Sequence, residues 1–192
     1  MLTRPSQYLT ASLISFLLFL IPCIFLLPEI FRQDLGISNY GVNRLTIIPY
    51  SLGFLSSAYF SWRAATKLKN KIFTRSLQLV CLLQLALLAV PDSHIASIRY
   101  THIGIGMTLF VAEFSLACIL VVTICRKFTP TALLALQAIA GLSAFFSLGQ
   151  ILPFEAPSQL LFQLCFLLIC TEAARQLESR QNTEGYGLQR NS

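Results

Sequence analysis

The chain has 192 residues, 55% of them hydrophobic and 11% charged, with a mean hydropathy of +0.69. A soluble domain carries roughly 25% charged residues, so this composition excludes a water-soluble globule. Fourteen Lys and Arg against eight Asp and Glu leave a net charge of +6, and the placement of those cations accounts for the excess without a nucleic acid.

The first apolar run covers about 9–27. Arg4 precedes it, as in a signal peptide. The run is nevertheless longer than the usual h-region and ends Leu26-Leu27-Pro28, with no small-x-small cleavage pattern, so it is expected to stay as a helix. A joint containing Gly36, Asn39, Gly41 and Asn43 leads to the second run, about 45–62, where Gly53, Ser57 and Ser61 at four-residue spacing form a seam for close helix packing. The third run, about 76–90, is short, and Ile72 and Phe73 are expected to extend it. The fourth, fifth and sixth runs cover about 101–125, 131–152 and 158–174. Residues 175–192 form a polar tail, expected to be disordered after a turn or two of continued helix.

Pro28, Pro91, Pro130, Pro153 and Pro157 sit at run ends. Ten-residue segments of alternating polarity are absent, so the runs read as helices rather than barrel strands; lipid offers a backbone amide no partner outside its own helix. With about 20 residues per crossing, six crossings use nearly the whole chain. The expected fold is all-α: a single bundle of six transmembrane helices over 1–174, followed by the tail.

If the N-terminus is cytoplasmic, that side receives eleven of the fourteen cations, the other side only Arg32, Arg44 and Arg99. Such a bias sets orientation and places both termini inside, which requires an even number of crossings. A multi-pass location in the cell membrane follows, with lipids as partners and with another membrane protein or a second copy of the chain as further candidates. Tyr59, Trp62 and Tyr100 read as interfacial aromatics. All six cysteines lie within or at the ends of apolar runs, as small packing residues do, and no CxxC occurs.

Polar groups inside the runs carry any chemistry there is, because ionisable residues in the hydrocarbon are costly and face the bundle interior. Glu113 is the acidic residue near the middle of a run. Helical spacing puts it on one stripe with His102, Gly106 and Ala117, and its candidate partners are Gln84 in the third run and Ser143 in the fifth. Two roles are open to this carboxyl: glue between helices, or a site for a proton or substrate. On the non-cytoplasmic side, Asp34, Arg32 and Arg44 in the first joint meet Asp92, His94 and Arg99 in the third, a set suited to salt bridges pinning the two loops. Asp92, His94 and His102 match no metal-motif spacing, and neither metal nor cofactor is expected. Nucleophile elbows, zinc-protease helices, phosphate loops and paired intramembrane carboxylates are missing, which disfavours an enzyme.

Three short motifs carry a resemblance: Asp34-Leu35-Gly36 in the first outer joint, Pro49-Tyr50-Ser51-Leu52-Gly53 opening the second run, and His102-Ile103-Gly104 with Phe110 beyond it in the fourth. With six runs and both ends on the basic side, the chain resembles the DUF998 and Frag1/DRAM/Sfk1 group of small membrane proteins. In that group the first outer loop typically reads Ser-Asp-x-Gly, and the fourth helix often begins with a His followed by small residues and a Phe. Here Gln33 stands in place of the Ser, and the Pro-Glu that DRAM-like members place after the Gly is absent. The resemblance implies a polytopic protein linked to membrane homeostasis or signalling, and it supplies no catalytic residues. Two functions are therefore expected in order: a non-enzymatic protein that binds lipids or a partner, then a small proton-coupled carrier built on Glu113. Runs one to three and four to six share no visible repeat, which favours the first.

Overall fold

The computed structural model describes residues 2–32, 35–93, 95–125, 127–148 and 154–189. Its elements are α1 (Pro5–Leu26), the short α2 (Pro28–Arg32), a 3-10 turn (Ile37–Gly41), α3 (Ile47–Ala65), α4 (Lys71–Ala89), α5 (Ala96–Thr123), α6 (Phe128–Leu148) and α7 (Glu155–Gln189). Among the described residues there is no strand. Helices α1, α4, α5, α6 and α7 are long and apolar enough to cross a membrane. Their outer faces expose large apolar side chains such as Leu18, Phe25, Leu82, Val122 and Ile139. That surface is suited to hydrocarbon, which makes this an integral, multi-pass membrane protein.

Long-range contacts order the long helices. Ser6, in the first turn of α1, meets Glu178 late in α7, while the turn after α2 meets Gln159 early in α7, so α1 and α7 are antiparallel. α3 lies antiparallel along α1: Thr46 is beside Cys23, and Ser57 and Ser61 are beside Ser12. α4 and α5 are joined at two levels, Gln84 to Glu113 and Val90 to His102. Phe110 of α5 stacks on Phe162 of α7, and Lys127 at the start of α6 pairs with Glu172. The chain thus runs up and down through a closed bundle. One end holds the start of α1 and the late part of α7; the opposite end holds the 3-10 turn and the α4–α5 joint.

Small residues make the closest seam. Ser12 Oγ lies 2.8 Å from Ser57 Oγ and 3.0 Å from Ser61 Oγ. At Gly53 an added Cβ would come within 3.1 Å of the Phe19 Cβ, so glycine lets α3 approach α1. The seam expected at Gly53, Ser57 and Ser61 is therefore an intramolecular one. At the terminal end, Leu77, Leu116, Leu120, Phe166, Ile169 and Ala173 form a closed apolar core. A second cluster around Phe16, Cys23, Tyr40, Tyr50 and Phe54 packs the opposite end of α1 and α3. The six cysteines are free thiols, all buried except the half-buried Cys118.

Element ends differ from the sequence reading where polar groups are satisfied by other helices. α4 starts at Lys71, extending the short third run as expected, with Asn70 accepting from the Phe73 amide at 2.9 Å as its cap. α7 continues to Gln189, well beyond one or two turns past Ala174. Its extension is tied down: Glu178 accepts from the amide and hydroxyl of Ser6 at 2.8 Å each, and Arg180 donates to the Ile124 carbonyl at 2.9 Å. A carboxylate at the α1 N-terminus and a guanidinium at the α5 C-terminus each complement a helix dipole.

Candidate functional site

The polar groups of four helices converge where the opposite end of the bundle is not filled. A cavity of about 710 Å³ lies there, bounded by α3, α4, α5, α6, α7 and the 35–42 segment. Its mouth carries Asp92, Ser93 and Arg99, and its inner wall ends at Glu113. His102 and Glu113 both face it, as the helical stripe on α5 requires, with Gly106 between them. Eleven residues separate the two, so Glu113 sits about 16 Å further along the helix axis. Ala117, one turn on, is already sealed in the closed core.

Glu113 is only 2% exposed, and Gln84 of α4 is 3% exposed. The Gln84 Nε2 donates to Glu113 Oε1 at 3.4 Å. From α7, the Gln163 side chain lies beside the Glu113 carboxyl. Gln84 Oε1 is buried with no hydrogen-bond partner, so this amide is only half satisfied. His102 is fixed differently: its Nδ1 lies 2.6 Å from the Val90 carbonyl oxygen. A carbonyl can only accept, so Nδ1 carries the proton, and the ring clips the start of α5 to the end of α4.

Aromatic and apolar side chains complete the walls. Phe110 and Phe162 stack with centroids 4.3 Å apart, and Gly141 of α6 leaves the space this stack occupies. Tyr50, Phe54 and Met107 line the remaining sides. At the mouth, Ile37 N–H donates to Gln159 Oε1 at 2.9 Å, and Gln159 Nε2 donates to Glu155 at 2.9 Å. These bonds hold the 3-10 turn on the first turns of α7. Tyr40 anchors the same turn, donating to the Leu27 carbonyl at 3.4 Å while its own carbonyl accepts from Thr46 at 2.8 Å. Burial, with smaller contributions from Cys23 and Glu29, pushes the Tyr40 phenol up from 10 to about 12.

The residues singled out in the sequence divide as follows. Glu113 and His102 both line the cavity at different depths, Gln84 reaches it only through its bond to Glu113, and Asp92 and Arg99 stand at its mouth. Ser143 is half-buried and not part of the lining; α6 contributes Gly141, Ala144 and Phe145 instead. Arg44 is exposed and away from the cavity. Asp34, His94 and the Arg32 side chain lie outside the described residues. No ion pair links the two loops among the described residues, where Lys127–Glu172 is the one salt bridge; the carboxylate of Asp92 accepts from the Ser93 amide at 2.9 Å instead. Among the described residues no three His, Cys, Asp or Glu side chains converge as metal ligands.

The sequence reading missed Gln163, Gln159 and Glu155. Their signal was present: the three recur every four residues and share one face of α7, a polar stripe in an apolar run. Phe110, four residues on from Gly106, also lines the cavity. No protein-family model, curated protein or solved structure matches the chain.

Proposed function

We propose that the chain is a non-enzymatic ligand-binding protein of the cell membrane, crossing it six times with both termini cytoplasmic, and that it receives an amphipathic molecule in the cavity ending at Glu113. The observation that carries this reading is that Glu113, a carboxyl well inside α5, faces an open cavity rather than a dry seam between helices. A pocket of several hundred Å³ with apolar walls and a few convergent polar groups is the usual form of a small-molecule site.

The sixth crossing is α3. Its 19 residues span about 28 Å, close to the roughly 30 Å of a hydrocarbon core. Its Ser57, Ser61 and Gly53 face α1, while Ile48, Leu52, Leu55, Tyr59 and Trp62 form an exposed stripe at helical spacing. The lower overall hydropathy of this helix therefore comes in part from groups that lipid does not meet, Ser57 and Ser61 among them. The Ser6–Glu178 contact supports the even count, since it holds the first turn of α1 and the late part of α7 at one end. Eleven cations lie in the segments on that side.

Binding is favoured over catalysis by the setting of His102, which donates to a backbone carbonyl and has no hydroxyl or thiol on its other nitrogen among the described residues. The motifs behind the resemblance to the DUF998 and Frag1/DRAM/Sfk1 group supply Leu35, Gly36, Tyr50, His102, Ile103 and Phe110 to the lining. That gathering of motif residues supports a shared binding role in membrane homeostasis or signalling. A proton-coupled carrier is the second reading, favoured by the position of Glu113 at the closed end of a one-sided cavity; it predicts that Glu113→Gln abolishes pH-dependent flux in proteoliposomes.

The test is side-resolved. Met107→Cys is expected to react, in sealed vesicles, with a small membrane-impermeant thiol reagent applied to the face opposite the termini, whereas the unaltered chain, whose thiols are buried apart from the half-buried Cys118 well inside α5, is not. A Met107→Cys variant that resists the reagent from that face, yet reacts after unfolding, would exclude an accessible cavity.

A further inference from the structure

We propose that the occupant of this cavity is an organic cation, an ammonium-like centre on an apolar body, and that Glu113 is its counter-charge. This rests on the ligand-binding reading above and adds the chemistry of the ligand.

Charge selects the sign. Basic residues outnumber acidic ones in the chain by fourteen to eight. The described lining reverses that order, with Asp92 and Glu113 against the single guanidinium of Arg99. Carboxylates concentrated in a low-dielectric cleft focus a negative potential that draws cations inward. Arg99 is exposed at the mouth and does not reach an ion-pairing distance from any described carboxylate.

The partners of Glu113 point the same way. It is buried beside the amides of Gln84 and Gln163, and no Lys, Arg or His pairs with it among the described residues. Amide donors orient a carboxyl without supplying a counter-charge. Intramembrane carboxylates ordinarily find a mate within the bundle; here the position of the mate is open space. Aromatic rings border that space: Tyr50, Phe54, Phe110 and Phe162 line it, and a poorly hydrated cation is attracted to the faces of such rings. Depth separates two sources of such a cation. Glu113 lies about 16 Å beyond His102 along α5, further in than a bilayer lipid with its head group at the interface carries an ammonium, so the occupant is a free molecule.

The experiment compares two ions of nearly equal size and opposite sign, tetraphenylphosphonium and tetraphenylborate. Each is titrated against the full chain in phosphatidylglycerol nanodiscs, with empty discs subtracted. Saturable binding of tetraphenylphosphonium alone is expected, with Glu113→Gln weakening it at least tenfold and Glu113→Asp retaining part of it. Equal binding of both ions, no binding of the cation, or an unaffected Glu113→Gln variant overturns the proposal. The two-ion comparison on the unaltered chain stands whether or not a variant folds. Loss of cation binding when phosphatidylethanolamine is added would assign the site to a lipid head group and overturn the free-molecule assignment. A reactive Met107→Cys alongside any of these failures leaves the cavity reading intact; an unreactive one removes that reading itself.

Discussion

Glu113 is held by groups that a neutral isostere can keep. Gln at this position retains size and a hydrogen-bonding oxygen for Gln84, so Glu113→Gln is expected to purify as a monodisperse species with thermal stability near that of the unaltered chain. Glu113→Leu strands an amide that already has one unpartnered atom, and the loss is expected at about 1–3 kcal/mol, read as a lowered unfolding temperature in detergent. Tyr40 supplies the pH dependence. Its phenol is raised in the folded chain, so the neutral form is the one folding favours; this contribution is complete below pH 10 and is lost as pH rises from 10 towards about 12. Tyr40→Phe is expected to flatten that alkaline loss in a stability profile, and an unchanged profile would show that another group controls it. At Gly141 an added Cβ would collide with the Phe110 and Phe162 rings. Gly141→Leu is therefore expected to push the stack into the cavity and reduce Met107→Cys reactivity severalfold.

Helices show where sequence patterning was sufficient and where it was not. The stripe of His102, Gly106 and Glu113 on α5 was legible, because one helix has one phase and its small and polar residues mark the interior face. Gln84 was legible as a partner from depth alone. Ser143 was not excluded by the same logic, since depth does not fix the rotation of α6, and that helix turns Gly141 and Ala144 to the cavity. The length of α7 was underestimated for a related reason: a polar tail reads as solvent-exposed until Ser6 and the Ile124 carbonyl are known to receive Glu178 and Arg180. Removing this tie has a definite cost. Glu178→Ala leaves two donors of the α1 N-terminus without their acceptor, and a loss of about 1–2 kcal/mol is expected. At the α1–α3 seam, Gly53→Leu is expected to separate the helices and lower the unfolding temperature further than Leu52→Ala on the exposed face; an equal effect of the two would mean that the seam is not close-packed.

At the scale of the whole molecule, the terminal half is filled by a closed apolar core while the opposite half keeps a cavity with polar groups at both ends. The asymmetry gives the proposed function its direction, with the tails on one face and the ligand entering from the other. It depends on α3 being a crossing helix, because a bundle with five crossings would place the α1 start and the late part of α7 on opposite faces. Cation placement carries the same requirement, since Lys67, Lys69 and Lys71 precede α4 and Arg175 and Arg180 lie late in α7. The most direct measurement is cysteine labelling in sealed vesicles of known orientation, with Lys69→Cys, Ser93→Cys and Ser179→Cys each probed by an impermeant reagent. Lys69→Cys and Ser179→Cys are predicted to share one face and Ser93→Cys to label from the other; Lys69→Cys and Ser179→Cys on opposite faces would contradict the account.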